Sequence, residues 1–341
     1  MSSTSQLTNF QDLYTDLLNR IRADTSVSAT VTQAKRYINI ALHDMTLGFT
    51  YKMPWLEREA YIRTHAPYST GTITTTQGST AVTGTSTVWT TTNAYGEANA
   101  RTTGKMTIAG GSNIYRVSTV GGAGSITLRD KVIDASATDT TYVYFEDEYA
   151  LASDFLRPLD YRIFSDAIKI PLIGRNEWRE RYPRPNISGP PRVATLLDLG
   201  VSGDTTPIKR VQIYPYPANT YLIPYNYVTN QIAMSTLGVG QTSLSADTDE
   251  PNIPLGYRHA VIWHALYNWY RDKRDDQRSQ EAKAEYTDIM LRITGDIDIG
   301  APTKASMQPQ SSMYAHAAMR PYNRRGGNRI SVNDSFDRID P

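Results

Sequence analysis

The side chains whose spacing invites chemistry in this chain are its histidines and a few clustered acids. Of five histidines (His43, His65, His259, His264, His316) only His259 and His264 are near each other, five residues apart. A zinc-binding helix sets its ligands four apart, about 40° from one another around the axis, whereas five apart separates them by about 140°. They do not share a metal from one helix, and each reads as a single core or interface histidine. Asp247, Asp249 and Glu250 form an acidic loop with a flavour of calcium. The central glycine and terminal glutamate of a twelve-residue calcium loop are missing, so it reads as a loop before a helix, its acids favouring the positive helix start. Glu146, Asp147, Glu148 and Asp154 cluster near a strand end. Paired carboxylates hydrolyse glycosides when they flank a cleft, but clustered surface acids are the commoner case. No GxxxxGK[ST], strand-to-helix GxGxxG or GxSxG pattern occurs. With no cysteine there is no thiol catalysis, disulfide or cysteine-ligated zinc, which fits a reducing cytoplasm. The expectation is a chain without catalytic residues, cofactor or metal.

Its bulk properties point to partners instead. A formal net charge of +1 argues against a protein whose main task is gripping nucleic acid. At 341 residues, with 40% hydrophobic and 20% charged side chains, two or three folded units are expected. Tyrosine outnumbers the other aromatics, 23 against 6 Phe and 5 Trp, and interfaces favour it, as do strands. The N-terminus lacks the basic and apolar regions of a signal peptide, and no apolar run is long enough to span a membrane.

The elements that would position these residues fall into five stretches. Residues 1–60 read as a helical hairpin. Leu7, Phe10, Leu13, Tyr14, Leu17, Leu18 and Ile21 stripe a first helix, with Thr8 as N-cap and Gln11 in a capping box. A second helix is expected from Thr30 to Phe49, stopped by Gly48. Residues 61–149 read as an inserted antiparallel β module, a small barrel or sandwich, with strands in GTITTT, STAVTG, GKMTIAG, NIYRVSTV, GSITLRD and TYVYFED. Residues 150–254 are mixed β and loop, where Pro215, Pro217 and Pro224 suggest edge strands. Residues 255–295 read as one long helix packing with the N-terminal pair, its apolar face interrupted by the polar run 271–283. Residues 296–341 read as an extended tail that orders only on a partner. The fold class expected is α+β: a helical bundle of the N-terminal hairpin and long C-terminal helix, with an inserted all-β module, a mixed proline-rich β region and an extended tail.

This layout resembles the head-to-tail connector (adaptor, or neck) proteins of tailed bacteriophages. The likeness is strongest in SADTDEPNIPLGYRHAVIWHALYNWY (245–270), where an acidic loop leads through Ile253-Pro254 and Tyr257-Arg258-His259 into an aromatic helix. YALASDFLRPLD (149–160) is similar to the family's strand-to-loop segment, and GTITTTQGSTAVTGTSTVWTT (71–91) looks like small β modules of phage virion proteins. The resemblance implies a virion protein made in the host cytoplasm, forming a ring of twelve copies under the portal protein. Genomic DNA would pass through the channel without sequence-specific binding. It implies a portal-docking tail carrying Tyr314, Arg320, Tyr322, Arg324, Arg325, Arg329 and Phe336, and an inter-subunit helix carrying Trp263, Trp269, Tyr270, Arg271 and Arg274. The β elements would face the tail tube, nozzle or other neck proteins. The balanced charges of 271–283 suit a channel wall that does not hold phosphate, or simply a solvated helix face. The rival readings are a tail-fibre or receptor-binding protein with the β module as carbohydrate reader, and a virion glycosidase using the acids at 146–154.

Overall fold

Asn9 starts the first helix, α1 (Phe10–Arg20). Its side chain accepts from the Asp12 amide at 3.0 Å, and the Asp12 carboxylate accepts from the Asn9 and Thr8 amides. The capping box therefore forms one residue later than Thr8 and Gln11, because Asp12 at N3 both accepts from the cap and suits the positive helix end. The computed structural model describes residues 7–24, 26–48, 53–159, 162–164, 169–182, 186–197 and 209–300. It divides into two units, one of residues 1–54 with 244–341 and one of residues 55–243.

In the first unit α1 packs on α2 (Ser28–Leu47), and both pack on α4 (His259–Asp272). Phe10, Leu13 and Leu17 from α1, Ile38, Ala41 and Leu42 from α2, and Val261, Ile262 and Ala265 from α4 are buried. The single helix expected over 255–295 is absent. The chain turns at Lys273–Asp275, with Arg274 in the left-handed region at φ 61°, and α5 (Asp276–Gly300) returns against α4. The Asp275 carboxylate accepts from the Arg278 amide at 3.2 Å and so opens the new helix. Turning back buries Ala282, Met290 and Ile293, apolar surface that a straight helix would leave in water.

The second unit is mostly strand. Strands β1 (Glu57–Arg63), β2 (Thr72–Thr75), β3 (Ala81–Thr85), β4 (Lys105–Ile108), β5 (Ile114–Gly122), β6 (Ser125–Leu128), β7 (Ala137–Thr140) and β8 (Tyr142–Phe145) come first. Next are β9 (Glu148–Ala150), β10 (Phe155–Pro158), a hairpin of β11 (Arg162–Phe164) with β12 (Lys169–Pro171), and the short helix α3 (Arg175–Arg181). Then follow β13 (Ser188–Gly189), β14 (Val193–Leu197), β15 (Arg210–Tyr214), β16 (Tyr216–Pro217) and β17 (Leu222–Thr229), with two two-residue strands, Ala233–Met234 and Gly240–Gln241, after them. Seven strands form one antiparallel half-barrel sheet in the order β7-β2-β3-β6-β5-β4-β8. Alternate residues of these strands fill one core: Ile73, Val82, Met106, Val117, Ile126 and Tyr144, around the fully buried Trp89. The Trp89 indole N–H, which burial would leave without water, donates to the Tyr142 hydroxyl at 2.9 Å.

Two three-stranded sheets, β1-β17-β10 and β14-β15-β9, share a second core that includes Ile62, Phe155, Ile213, Ile223 and Tyr227. Pro224 lies in the middle strand β17, opposite Tyr61, rather than in the edge strand its missing N–H suggests. The third strand, β10, pairs only with Tyr227–Thr229, so at Pro224 the strand is locally an edge.

The fold class read from the sequence does not hold. The protein is mixed α/β, with five α-helices among the described residues and mostly β-sheet content. In place of the one long helix expected over 255–295 stand α4 and α5, joined by a turn.

Candidate functional site

The acids at 146–148 lie just past β8, the last strand of the seven-stranded sheet, and lead into β9. All three are nearly or fully buried, and each meets a cation. Glu146 accepts from Arg101 Nε at 2.9 Å, Thr103 Oγ1 at 2.8 Å and the Tyr144 hydroxyl at 2.8 Å. Asp147 lies 2.8 Å from Lys105 Nζ and accepts from Gln212 Nε2 at 2.8 Å. Glu148 takes both Arg116 nitrogens, at 3.0 and 2.5 Å, with Lys105 at 3.2 Å. Burial pushes the Asp147 carboxyl above its usual range, with Lys105 opposing. At Glu148 burial pushes the same way, but the Arg116 hydrogen bonds and the Lys105 charge outweigh it and hold the group below its usual range. The fourth acid, Asp154, accepts from the Tyr227 hydroxyl and Thr229 Oγ1, each at 2.7 Å. Of what looked like a set of surface acids, Glu146, Asp147 and Glu148 form a buried ion network, and Asp154 is half-buried against two hydroxyl donors. The partners are protein groups rather than a cleft. The β periodicity shows why: Lys105 and Arg116 alternate with apolar neighbours on β4 and β5, in register with one another. That register was the available signal, and reading the acids without their cross-strand cations missed it.

A groove of about 620 Å³ opens elsewhere on this unit. Thr107, Gly110, Gly111, Ser112, Asn113 and Thr141 line it, all uncharged. A side chain at Gly111 would come within 2.4 Å of the Asp134 carboxylate, which keeps the loop bare.

In the helical unit, the segment that carries the family resemblance is a joint. The buried Arg258 guanidinium donates to the carbonyls of Ile253 at 2.8 Å, Pro251 at 3.0 Å and Leu7 at 3.0 Å, and also to Thr8. Asp249 accepts from the amides of Ser245 and Ala246 at 2.8 Å and from the Ser245 hydroxyl at 3.1 Å. Burial acts to raise the Asp249 carboxyl, but these donors outweigh it and hold it below the usual range. The loop backbone then receives α1: the Phe10 amide donates to Asp249 O at 2.8 Å and the Gln11 amide to Asp247 O at 3.0 Å. Asp247 itself pairs with Lys35 at 2.6 Å. The carboxylates of this loop are thus spent on the loop's own amides (Asp249) and on Lys35 (Asp247), with Glu250 3.9 Å from Arg258. The backbone carbonyls of Asp247 and Asp249 take the first amides of α1.

The aromatic and basic residues of the expected inter-subunit helix separate by environment. Trp269 is buried, edge-on to Tyr37 with ring centroids 5.5 Å apart, and belongs to the helical core. Trp263 and Tyr270 are half-buried beside arginines: Arg20 stands 5.0 Å over the Trp263 ring and Arg278 5.8 Å over Tyr270. Arg271 is exposed, 5.3 Å over Tyr267, and Arg274 is exposed in the turn. Arg20 and Arg278 were not among the residues expected there, since the first lies on α1 and the second past a turn that the pattern did not reveal. The portal-docking residues Tyr314, Arg320, Tyr322, Arg324, Arg325, Arg329 and Phe336 lie outside the described residues.

No protein-family model matches the chain, and a search of curated proteins finds no match.

Proposed function

We propose that this chain is a structural head-to-tail adaptor of a phage virion. Copies of it form a ring, of twelve by the family resemblance, beneath the portal protein, where the ring extends the DNA channel and offers a docking surface to tail tube, nozzle or neck components. The observation that carries this reading is the Arg258 joint. The stretch 245–270 most similar to the adaptor family spends its charged side chains on holding α1, the acidic loop and α4 together. Such a stretch serves architecture, and the buried pairing of Glu146, Asp147 and Glu148 with cations suits the same role. The place of action on this reading is the virion neck, with no cofactor and no catalytic step.

Residues 301–341, with their arginines and tyrosines, are the portal-docking element. Deleting them should leave the helical and β units folded by circular dichroism while association with portal rings is lost. Unchanged affinity of the truncated chain for portal rings would remove the docking role from this stretch.

The uncharged groove at Gly110–Asn113 favours a second reading, a receptor-binding virion protein whose β unit reads a carbohydrate, because sugar hydroxyls suit an array of Thr, Ser, Asn and backbone groups. Glycan binding that vanishes in Asn113→Ala would favour it over the adaptor.

A further inference from the structure

The end of α1, the middle of α4 and the first turns of α5 enclose a cleft of about 490 Å³. Its wall has two characters. Trp263, Leu266 and Tyr270 give an aromatic and apolar surface, while Arg20, Arg22 and Arg278 set three cations around it against the single acid Glu281. Arg20 is held at 2.7 Å by Asp16 and lies over Trp263; Arg278 lies over Tyr270 with Asp275 at 3.6 Å. A guanidinium that stacks on a ring still offers N–H donors at its edge to a carboxylate in its own plane. The complement to such a wall is an acidic segment that also carries an aromatic or aliphatic side chain.

One stretch of this chain has that composition. Residues 301–330 carry Lys304, Arg320, Arg324, Arg325 and Arg329 and no acid, whereas 331–341 carry Asp334, Asp337 and Asp340 against Arg338 alone. Within the acidic stretch Val332, Phe336 and Ile339 supply the apolar part, with Phe336 between two aspartates. Reach is ample: Ala282 and Gly300 are separated by 18 residues of α5, about 27 Å at the helical rise, and the 30 residues of 301–330 span up to roughly 100 Å.

We propose that residues 332–340 occupy the cleft of the same chain. Asp334 and Asp337 meet Arg22 and Arg278, and Phe336 lies on Leu266 between Trp263 and Tyr270. This goes beyond the adaptor reading, since it divides the tail into a basic part left for the portal and an acidic end that returns to its own helices, taking Phe336 from the first group to the second.

The test is a photocrosslinker, p-benzoylphenylalanine, placed at position 336 of the full chain, with the products mapped by mass spectrometry. The expected crosslinks run to peptides holding Trp263 or Arg278 and appear in the monomer-sized band. Asp334→Arg with Asp337→Arg, a change in the tail alone, should lower their yield at least tenfold. Arg22→Glu with Arg278→Glu should do the same, and combining all four changes should restore the yield. Crosslinks elsewhere on the chain, crosslinks only in a dimer-sized band (a second copy as occupant), or a yield indifferent to D334R/D337R would each overturn the proposal. Since no portal is present, failure here leaves the adaptor reading to its own test.

Discussion

Replacing Arg258 by Met keeps the length and apolar stem of the side chain and removes its donors. Four backbone carbonyls, of Ile253, Pro251, Leu7 and Thr8, would lose their partner in a site where the residue is 8% exposed. Hydrogen bonds to a charged group contribute about 1.5–3 kcal/mol each, so a simple sum over four would reach roughly 6–12 kcal/mol. The net must be smaller, because burial disfavours the guanidinium charge and Glu250, at 3.9 Å, offsets little of that. A loss of about 3–5 kcal/mol is the expected outcome, the range for breaking a buried charged network from one side. Hydrogen exchange reads this locally, on the amides of Phe10 and Gln11, whose acceptors are Asp249 O and Asp247 O. At about 1.4 kcal/mol per factor of ten, their protection should fall by at least a hundredfold. Arg258→Lys, which keeps the charge but cannot fork to several carbonyls, should fall between the two. Protection that drops less than tenfold in Arg258→Met would refute the joint, and with it the structural meaning given to 245–270.

Buried charge gives two further expected outcomes. Lys105→Met leaves the fully buried Asp147 with Gln212 but no cation, and urea unfolding monitored at Trp89 should show the β unit less stable by about 3–5 kcal/mol, with Asp147→Asn in the same chain recovering part of the loss. His264 packs 4.6 Å from the Tyr286 ring and beside Tyr267, with Asp44 and Arg271 as the nearest charges, and burial holds its pKa below the ordinary 6.5. The unfolded chain then binds a proton that the folded chain refuses, so stability of the helical unit should decline as pH falls from 6.5 toward the folded value. His264→Phe should flatten that decline between pH 7 and 5; an identical slope in the variant would show that His264 does not set it.

Elements whose burial repeats at a fixed period were legible in the residues. Phe10, Leu13, Leu17 and Leu18 mark α1, and the alternation in GKMTIAG and TYVYFED marks β4 and β8. Ala137–Thr140 was not legible as a strand, because β7 edges its sheet with no buried side chain and thus no alternation. The break between α4 and α5 was hidden for another reason: RDKRDDQRSQEAK holds good helix formers and neither Gly nor Pro, while the turn depends on Arg274 tolerating a left-handed backbone and on Asp275 capping α5. The candidate sites were half legible. Trp263 and Tyr270 were visible as aromatics of the helix expected from residue 255, but Arg20 and Arg278 reach them only through tertiary packing. Glu146, Asp147 and Glu148 were visible as acids, and only strand register shows Lys105 and Arg116 beside them.

The adaptor reading is tested most directly by cryo-electron microscopy of the full chain mixed with the portal of its own particle. A ring of this chain coaxial with the portal, with density from residues 301–330 along the portal wall, is the result the reading predicts. Monomers that never touch the portal, at concentrations where the portal itself is intact, would contradict it.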